Sequence, residues 1–420
     1  MSDEGFSIRP AAGTTYYVGG PDLKGGKLPQ QGGINAGLEM EVGDSDEVTL
    51  KLNGEVLVDY YHGFRGLQLL NPQFPTITSH GNGQDAVLTR GRLSEAQVIY
   101  YGSRASFSLG YQKAVFGQTE FPLAPANTFS GTDFESANQI PTYRSVLGLQ
   151  GKIYFGSHLS LFLAATPSSE TRNIMPFQLG RLTDGLPVGV LKFVNQSRMA
   201  DADGLLGFKG SWKKWSLLLT GSREHDHFFK IGGGELDPQN NSATLNGRYP
   251  SRETAAAEVG GTRGNLVYWL QGNFAYYDHF QNGSLSSPLG DIPLNYSRYS
   301  YQGALGARHD FPEQFAYLAA QGFYGSLTGN GELNQAVASA SGGIQFLNGD
   351  LKLGALFNSY FETSRPKLES FINLTYQPVP GLEFSLGGRL AQTGIFSLAQ
   401  PWYGYFSVQY RYIKPIKQEE

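Results

Sequence analysis

Cysteine is absent from the 420-residue chain. That excludes a disulfide framework, a thiolate metal site, an iron–sulfur cluster and a cysteine nucleophile, while leaving the redox compartment open. Charged residues are scarce at 16%, below the usual quarter or so. The formal net charge of −4 lacks the basic footprint of a nucleic-acid binder. No stretch approaches the roughly 18 consecutive apolar residues of a transmembrane helix. The acidic start Met1-Ser2-Asp3-Glu4 has no apolar core behind it, so no signal peptide is read there, and an exported protein is expected in its mature form.

What the chain has instead is glycine (55), tyrosine (24) and phenylalanine (27), with 40% hydrophobic residues. This is too much apolar material for a disordered chain. It is arranged with a period of two. Val48, Leu50, Leu52, Val56, Val58 and Tyr60 alternate with Thr49, Lys51, Asn53, Glu55 and Asp59, and Leu266, Tyr268, Leu270, Phe274 and Tyr276 alternate with Gln271 and Asn273, Trp269 standing on the polar side. Such segments are strands with one apolar side.

The pattern predicts strands near 7–18 (the weakest), 34–42, 47–61, 87–101, 104–112, 142–154, 157–166, 202–212, 214–223 and 252–262. It continues with 265–278, 297–309, 315–325, 335–346, 351–361, 367–377, 382–392 and 401–412. The links alternate. Short ones made of turn residues, such as Gly102-Ser103 and Arg263-Gly264, are followed by long irregular ones near 62–86, 113–141, 167–201, 224–251 and 279–296. Repeated long loops count against a compact soluble domain. They suit a transmembrane barrel with short periplasmic turns and long extracellular loops.

The expectation is therefore an all-β, antiparallel transmembrane barrel of about 18 strands, with 16 as the alternative. A single domain fills 1–420, with the barrel over 7–412 and a periplasmic tail over 413–420. Either size leaves an aqueous lumen. Aromatic residues near strand ends, including Trp212, Trp215, Tyr276-Tyr277 and Tyr360-Phe361, suit interfacial girdles. A soluble sandwich or propeller would carry more surface charge, and a propeller would repeat a blade motif.

The stretch Arg92-Leu93-Ser94-Glu95-Ala96-Gln97-Val98, then Leu109-Gly110-Tyr111-Gln112-Lys113-Ala114-Val115-Phe116-Gly117-Gln118, then Thr132-Asp133 and Pro141 resembles Gram-negative outer-membrane channels. The phosphate-selective porin family and the alginate-export and related porin families share this cadence. The resemblance covers 92–141 and implies an outer-membrane location and a channel, not a solute. Two departures are Tyr111, where arginine or glutamine is frequent, and a C-terminus running past Tyr410 and Tyr412 to Glu420.

Solute choice in a channel follows the sign and placement of lumen charge. The polar faces carry Arg90, Arg92, Arg144, Lys152, Arg298, Arg308 and Arg389 as candidate pore-lining cations, with Lys51, Lys209, Lys352 and Arg411 beside them. Facing them are Glu39, Glu41, Glu55, Asp59, Glu258, Glu369 and Glu383. Either the cations favour anionic solutes, or they pair with these acids as a structural ladder. The loops at 113–141 and 167–201 either fold inward, with Phe116, Glu120, Phe121 and Asp133 facing solute, or lie on the surface as lids.

Catalytic motifs are not legible. Glu224-His225-Asp226-His227 has ligand-capable residues but no third partner at a defined spacing. No cofactor or metal is expected. The expected function is passive diffusion of small hydrophilic, anionic solutes. Export of an anionic polysaccharide and a structural or adhesive role are the alternatives. Outer-membrane lipid and lipopolysaccharide are the expected surroundings, and a homotrimer the assembly expected by analogy with porins.

Overall fold

A ribbon with one apolar side facing lipid must also pair every backbone N–H and C=O within the sheet, because hydrocarbon offers no partner. Closing the sheet on itself meets both demands. The computed structural model describes residues 6–19, 30–44, 48–62, 68–70, 86–117, 120–121, 123–127, 132–133, 142–143, 145–167, 190–195, 202–226, 230–237, 239, 242–277, 283–286, 290–294, 296–326, 334–361, 366–391 and 402–411.

The chain opens with β1 (Phe6–Gly19), β2 (Gln30–Asp44) and β3 (Val48–His62), and a short β4 (Gln68–Leu70) lies in the loop before β5 (Ala86–Tyr101). Strand β6 (Ala105–Gln112) leads into a loop with β7 (Thr132–Asp133) and β8 (Thr142–Tyr143), followed by β9 (Val146–Phe155) and β10 (Leu159–Thr166). Next come β11 (Val190–Asn195), β12 (Asp203–Ser211), β13 (Trp215–His225), β14 (Lys230–Asp237), β15 (Ser242–Arg248), β16 (Ser251–Arg263) and β17 (Leu266–Tyr277). The loop strands β18 (Gly283–Ser286) and β19 (Ile292–Leu294) precede β20 (Tyr299–Phe311), β21 (Ala316–Ser326) and β22 (Asn334–Phe346). The chain finishes with β23 (Leu351–Phe361), β24 (Pro366–Val379), β25 (Leu382–Ala391) and β26 (Trp402–Arg411).

Eighteen of these strands form one antiparallel sheet. It closes where β1 pairs with β26, from Ala11 opposite Arg411 to Gly19 opposite Tyr403. No edge is left free. The eighteen-strand expectation holds, the weakest strand included. The outward face is apolar: Leu109, Leu206, Leu270, Leu305 and Leu386 are each more than half exposed, which in a bilayer is contact with lipid.

Three expectations need correcting. The long loops are not wholly irregular, since six of their strands form a second sheet in the order β19-β18-β14-β15-β11-β4. Residues 142–143 do not begin a barrel strand, because they pair with Thr132 and Asp133 of the same loop. Nor do adjacent aromatics share a girdle. Tyr277 and Tyr360 point inward and are buried, whereas the neighbouring Phe361 is exposed, as alternation of Cβ directions requires. Trp212 and Trp215 do face out, and Trp215 meets Tyr268 edge-on at 5.7 Å.

Glycine in these strands serves close approach. A Cβ on Gly306 would lie 2.4 Å from the Trp269 ring, and one on Gly207 would lie 2.2 Å from Phe162. Both rings can then lie flat across the neighbouring strand on the inner wall.

Candidate functional site: a loop docked inside the barrel

The inward positions are those alternating with the exposed leucines, and part of this face is neither polar nor wet. Trp269, Ala304, Ala319, Phe323, Val337, Leu356, Tyr360 and Phe371 form one buried cluster, and Phe121 from the loop after β6 sits in it. Phe162, Ala164, Leu205 and Leu218 form another with Ala114 and Ala126. An apolar patch facing a lumen has to be covered, and residues 113–117, 120–121 and 123–127 cover it.

Each turn of this segment has a wall partner. Phe116 stacks on Phe162 at 4.4 Å, and Phe121 packs against Trp269 at 6.2 Å. Glu120 accepts from Arg308 Nη1 at 2.8 Å and from the Ser341 hydroxyl at 3.4 Å. The Leu123 carbonyl accepts from Gln321 Nε2 at 2.7 Å and the Pro125 carbonyl from Asn273 Nδ2 at 2.9 Å. Ala126 N–H donates to Gln271 Oε1 at 3.4 Å. The segment also ties to itself, because Asn127 Oδ1 accepts from the N–H groups of Phe116 and Gly117 at 3.1 and 2.7 Å. A Cβ on Gly117 would stand 2.7 Å from Glu258 Oε2 and 3.0 Å from the Ala126 Cβ, so a larger residue here would push the Glu258 side chain aside.

Inward amides thus supply the partners that a loop backbone needs once it leaves water. Gln271 and Asn273 were read from sequence only as polar alternation, and Gln321 was not singled out. Two amides on the strand that carries an inward Trp269 were the available signal. Trp269 itself donates to Gln321 Oε1 at 3.0 Å, which fixes the amide that holds Leu123.

Of the candidate cations, Arg308 is held between Glu120 and Asp310, both at 2.8 Å, with its guanidinium 4.2 Å from the Tyr317 ring centroid. Its charge is balanced by the docked loop. Lys152 stands over Tyr154 at 4.8 Å, on a ladder position opposite Phe162. Arg298 is exposed at the long-loop end, immediately before β20. Arg90, Arg92 and Arg389 have backbone places in β5 and β25, opposite Leu57, Glu55 and Tyr403 respectively; their side chains lie outside the described residues. Asp133 has a backbone place opposite Thr142, and its side chain is likewise outside them. Arg144 lies outside the described residues altogether. The register sets Glu41 opposite Lys51 and Glu39 opposite Arg9. Opposite charges therefore occupy facing positions on part of the wall.

Glu224, His225 and Asp226 join a buried network where the loops leave the barrel, and His227 lies outside the described residues. Glu224 Oε1 accepts from Arg252 Nε and Nη2 at 3.0 and 2.9 Å. Asp226 lies 3.6 Å from Lys230 and 3.7 Å from Arg252. Asp203 Oδ1 is 2.7 Å from His225 Nδ1, and the Ser251 hydroxyl is 3.3 Å from His225 Nε2. These contacts clamp β14, and with it the second sheet, to the rim. Burial pushes the Lys230 ammonium down to about 8, with Asp226 drawing it up and Arg252 pressing it further down.

Fold and site together define a transmembrane β-barrel of porin architecture, with a loop folded into its lumen. No protein-family model matches the chain, and no curated protein matches it. Solved structures do. OccAB1 of Acinetobacter baumannii aligns over 97% of this chain and 96% of its own, with a TM-score of 0.53 and 11% identity. OccK11 (OpdR) of Pseudomonas aeruginosa aligns over 97% of both chains, with a TM-score of 0.51 and 12% identity. OpdQ of the same organism also aligns over 97% of both, at 0.52 and 9%. At such identities the likeness is one of fold. It agrees with the outer-membrane channel class suggested by residues 92–141, but it speaks for neither the phosphate-selective nor the alginate-export family.

Proposed function

We propose that the chain is a passive channel of the Gram-negative outer membrane that selects small hydrophilic anions, with sugar acids and other small carboxylates as the favoured class. The observation that carries this reading is the inward-folded 113–127 segment. It occupies the inner wall from β10 round to β22, so solute passes between it and the remaining wall. Inward cations near the short-turn end, Lys152 and Lys209 among them, would draw carboxylates toward that passage. OccK2 (OpdF) of Pseudomonas aeruginosa, with a TM-score of 0.50 and 10% identity to this chain, was solved in complex with glucuronate, which supports the same class here. The surroundings under this reading are phospholipid on the periplasmic side, lipopolysaccharide outside and, by analogy with porins, two further copies of the chain.

The test is single-channel recording in planar bilayers with a salt gradient, followed by glucuronate and glucose flux into loaded vesicles. Anion-favouring reversal potentials and faster glucuronate entry are expected. Cation preference would overturn the selectivity. A barrel that conducts nothing would point to the structural or adhesive role. Passage of oligo-uronate as fast as the monomer would favour polymer export.

A further inference from the structure

The short-turn rim is divided by charge. The β5–β6 turn carries Arg104, the β9–β10 turn His158, and the β12–β13 turn Lys213 and Lys214, while Arg263 leads into the β16–β17 turn; all five are exposed. No acidic residue stands in these four turns, and among the described residues none of the five forms an ion pair. Elsewhere on the rim the turns are acidic, apart from Arg411 at the end of β26. Glu313 lies between β20 and β21 and Asp350 between β22 and β23, and the sequence that links β2, which ends at Asp44, to β3 reads Ser45-Asp46-Glu47. The basic sector spans eight neighbouring barrel strands, roughly 40 Å of rim at ~4.8 Å per strand.

Its flanks fix its depth. Tyr100, Phe155, Trp212 and Trp215 are all exposed on or beside the strand ends that these turns join. Amphipathic rings settle at the headgroup level of a bilayer. Cations one or two residues beyond them meet phosphate. A soluble acidic partner would have no need of rings that face hydrocarbon.

We propose that this sector binds the phosphate groups of anionic phospholipid in the periplasmic leaflet, and that the acidic sector does not. The inference rests on the barrel spanning a bilayer and is independent of the solute it passes. Bound lipid of one sign along one arc would give the barrel a preferred neighbour in the membrane on that side.

The experiment is native mass spectrometry of the detergent-purified barrel doped with equal phosphatidylglycerol and phosphatidylcholine. It compares wild type with the quadruple variant Arg104→Gln, Lys213→Gln, Lys214→Gln, Arg263→Gln, and with Glu313→Gln, Asp350→Asn. Wild type is expected to retain phosphatidylglycerol preferentially. The preference should fall by about fivefold for each cation removed, weaken as salt is raised, and persist in the acidic-sector variant. Heat-modifiable gel mobility reports folding, and if the quadruple variant fails to fold, Lys213→Gln, Lys214→Gln alone should show a smaller loss. Equal retention of both lipids by wild type, or unchanged preference in the folded variant, overturns the proposal. So does capture of a polyglutamate peptide without lipid preference, which would assign the sector to an acidic protein. Single-channel conductance of the same samples reports separately on the function proposed above.

Discussion

Two sides of one wall make different use of the same alternation. From β10 to β22 the inward positions hold Phe162, Leu218, Trp269, Phe323 and Val337, all buried with residues 113–127. On β25 and β26 they hold Glu383, Ser385, Ser407 and Gln409, facing across to Gly13 and Thr15 of β1. The outward faces of the two sides are alike, with Leu270 and Leu305 on the first as exposed as Leu386 and Phe406 on the second, within about 20 percentage points. Lipid imposes one rule on every outward position. The lumen imposes none, so its lining follows whatever is folded into it.

Removing the docked loop would break the contrast most severely. Replacing residues 114–127 by a short Gly-Ser linker is expected to raise single-channel conductance severalfold, to leave heat-modifiable mobility intact, and to expose the Trp269 patch to lumen water. Conductance equal to wild type would mean that the segment does not limit the passage.

Truncating the anchors should loosen the loop and spare the barrel. Trp269→Ala or Phe121→Ala removes a ring buried to 2% or 1% exposure, at a cost of about 3–5 kcal/mol. The expected readout is faster trypsin cleavage after Lys113, which is exposed where the segment begins, together with noisier open-channel current.

The rim clamp should respond to pH. Lys230 titrates near 8 when folded, against an ordinary value of 10.5. Between those values the unfolded chain binds a proton that the folded one does not, so stability rises with pH across that window, and below it the full cost of the buried charge is present. Relative to Lys230→Met, wild type should gain about 3 kcal/mol between pH 8 and 10.5, read from protection of the second sheet against amide exchange. A flat difference would place the ammonium in water.

The smallest effect is expected at the polar anchor. Glu120→Gln or Arg308→Gln breaks a part-buried pair with side chains 13% and 33% exposed, at about 1–2 kcal/mol after discounting for solvent. Flicker in the open current should increase, and the double variant should cost less than the sum of the two.

The barrel was legible because its signals are local. Strand β23 runs Leu351–Phe361, the range its alternation predicts, because a pleat and a two-residue period fix one another. The Arg263-Gly264 link was equally plain, as Gly264 adopts φ 61°, where side-chain-bearing residues are disfavoured. The site was legible only in part. Phe116, Glu120 and Phe121 could be named as loop residues, but their direction depended on Phe162, Arg308 and Trp269, from 46 to 188 residues away in the chain. Strands β14 and β15 were read as irregular because three consecutive glycines, Gly232 to Gly234, hide an alternation that pairing with Leu245 and Asn246 supplies.

By itself, the sequence determined which side of each ribbon meets lipid and where the tight turns fall, since each depends on neighbours within a few positions, while closure of the sheet decided for eighteen strands over sixteen. Only the tertiary structure decided that part of the inner face is dry, that Arg308 is neutralised, and that a loop rather than water fills half the wall. Those outcomes depend on groups brought together by closure of the sheet, and a polar or apolar side chain pointing inward reads the same in sequence whether it will meet solvent or a folded segment.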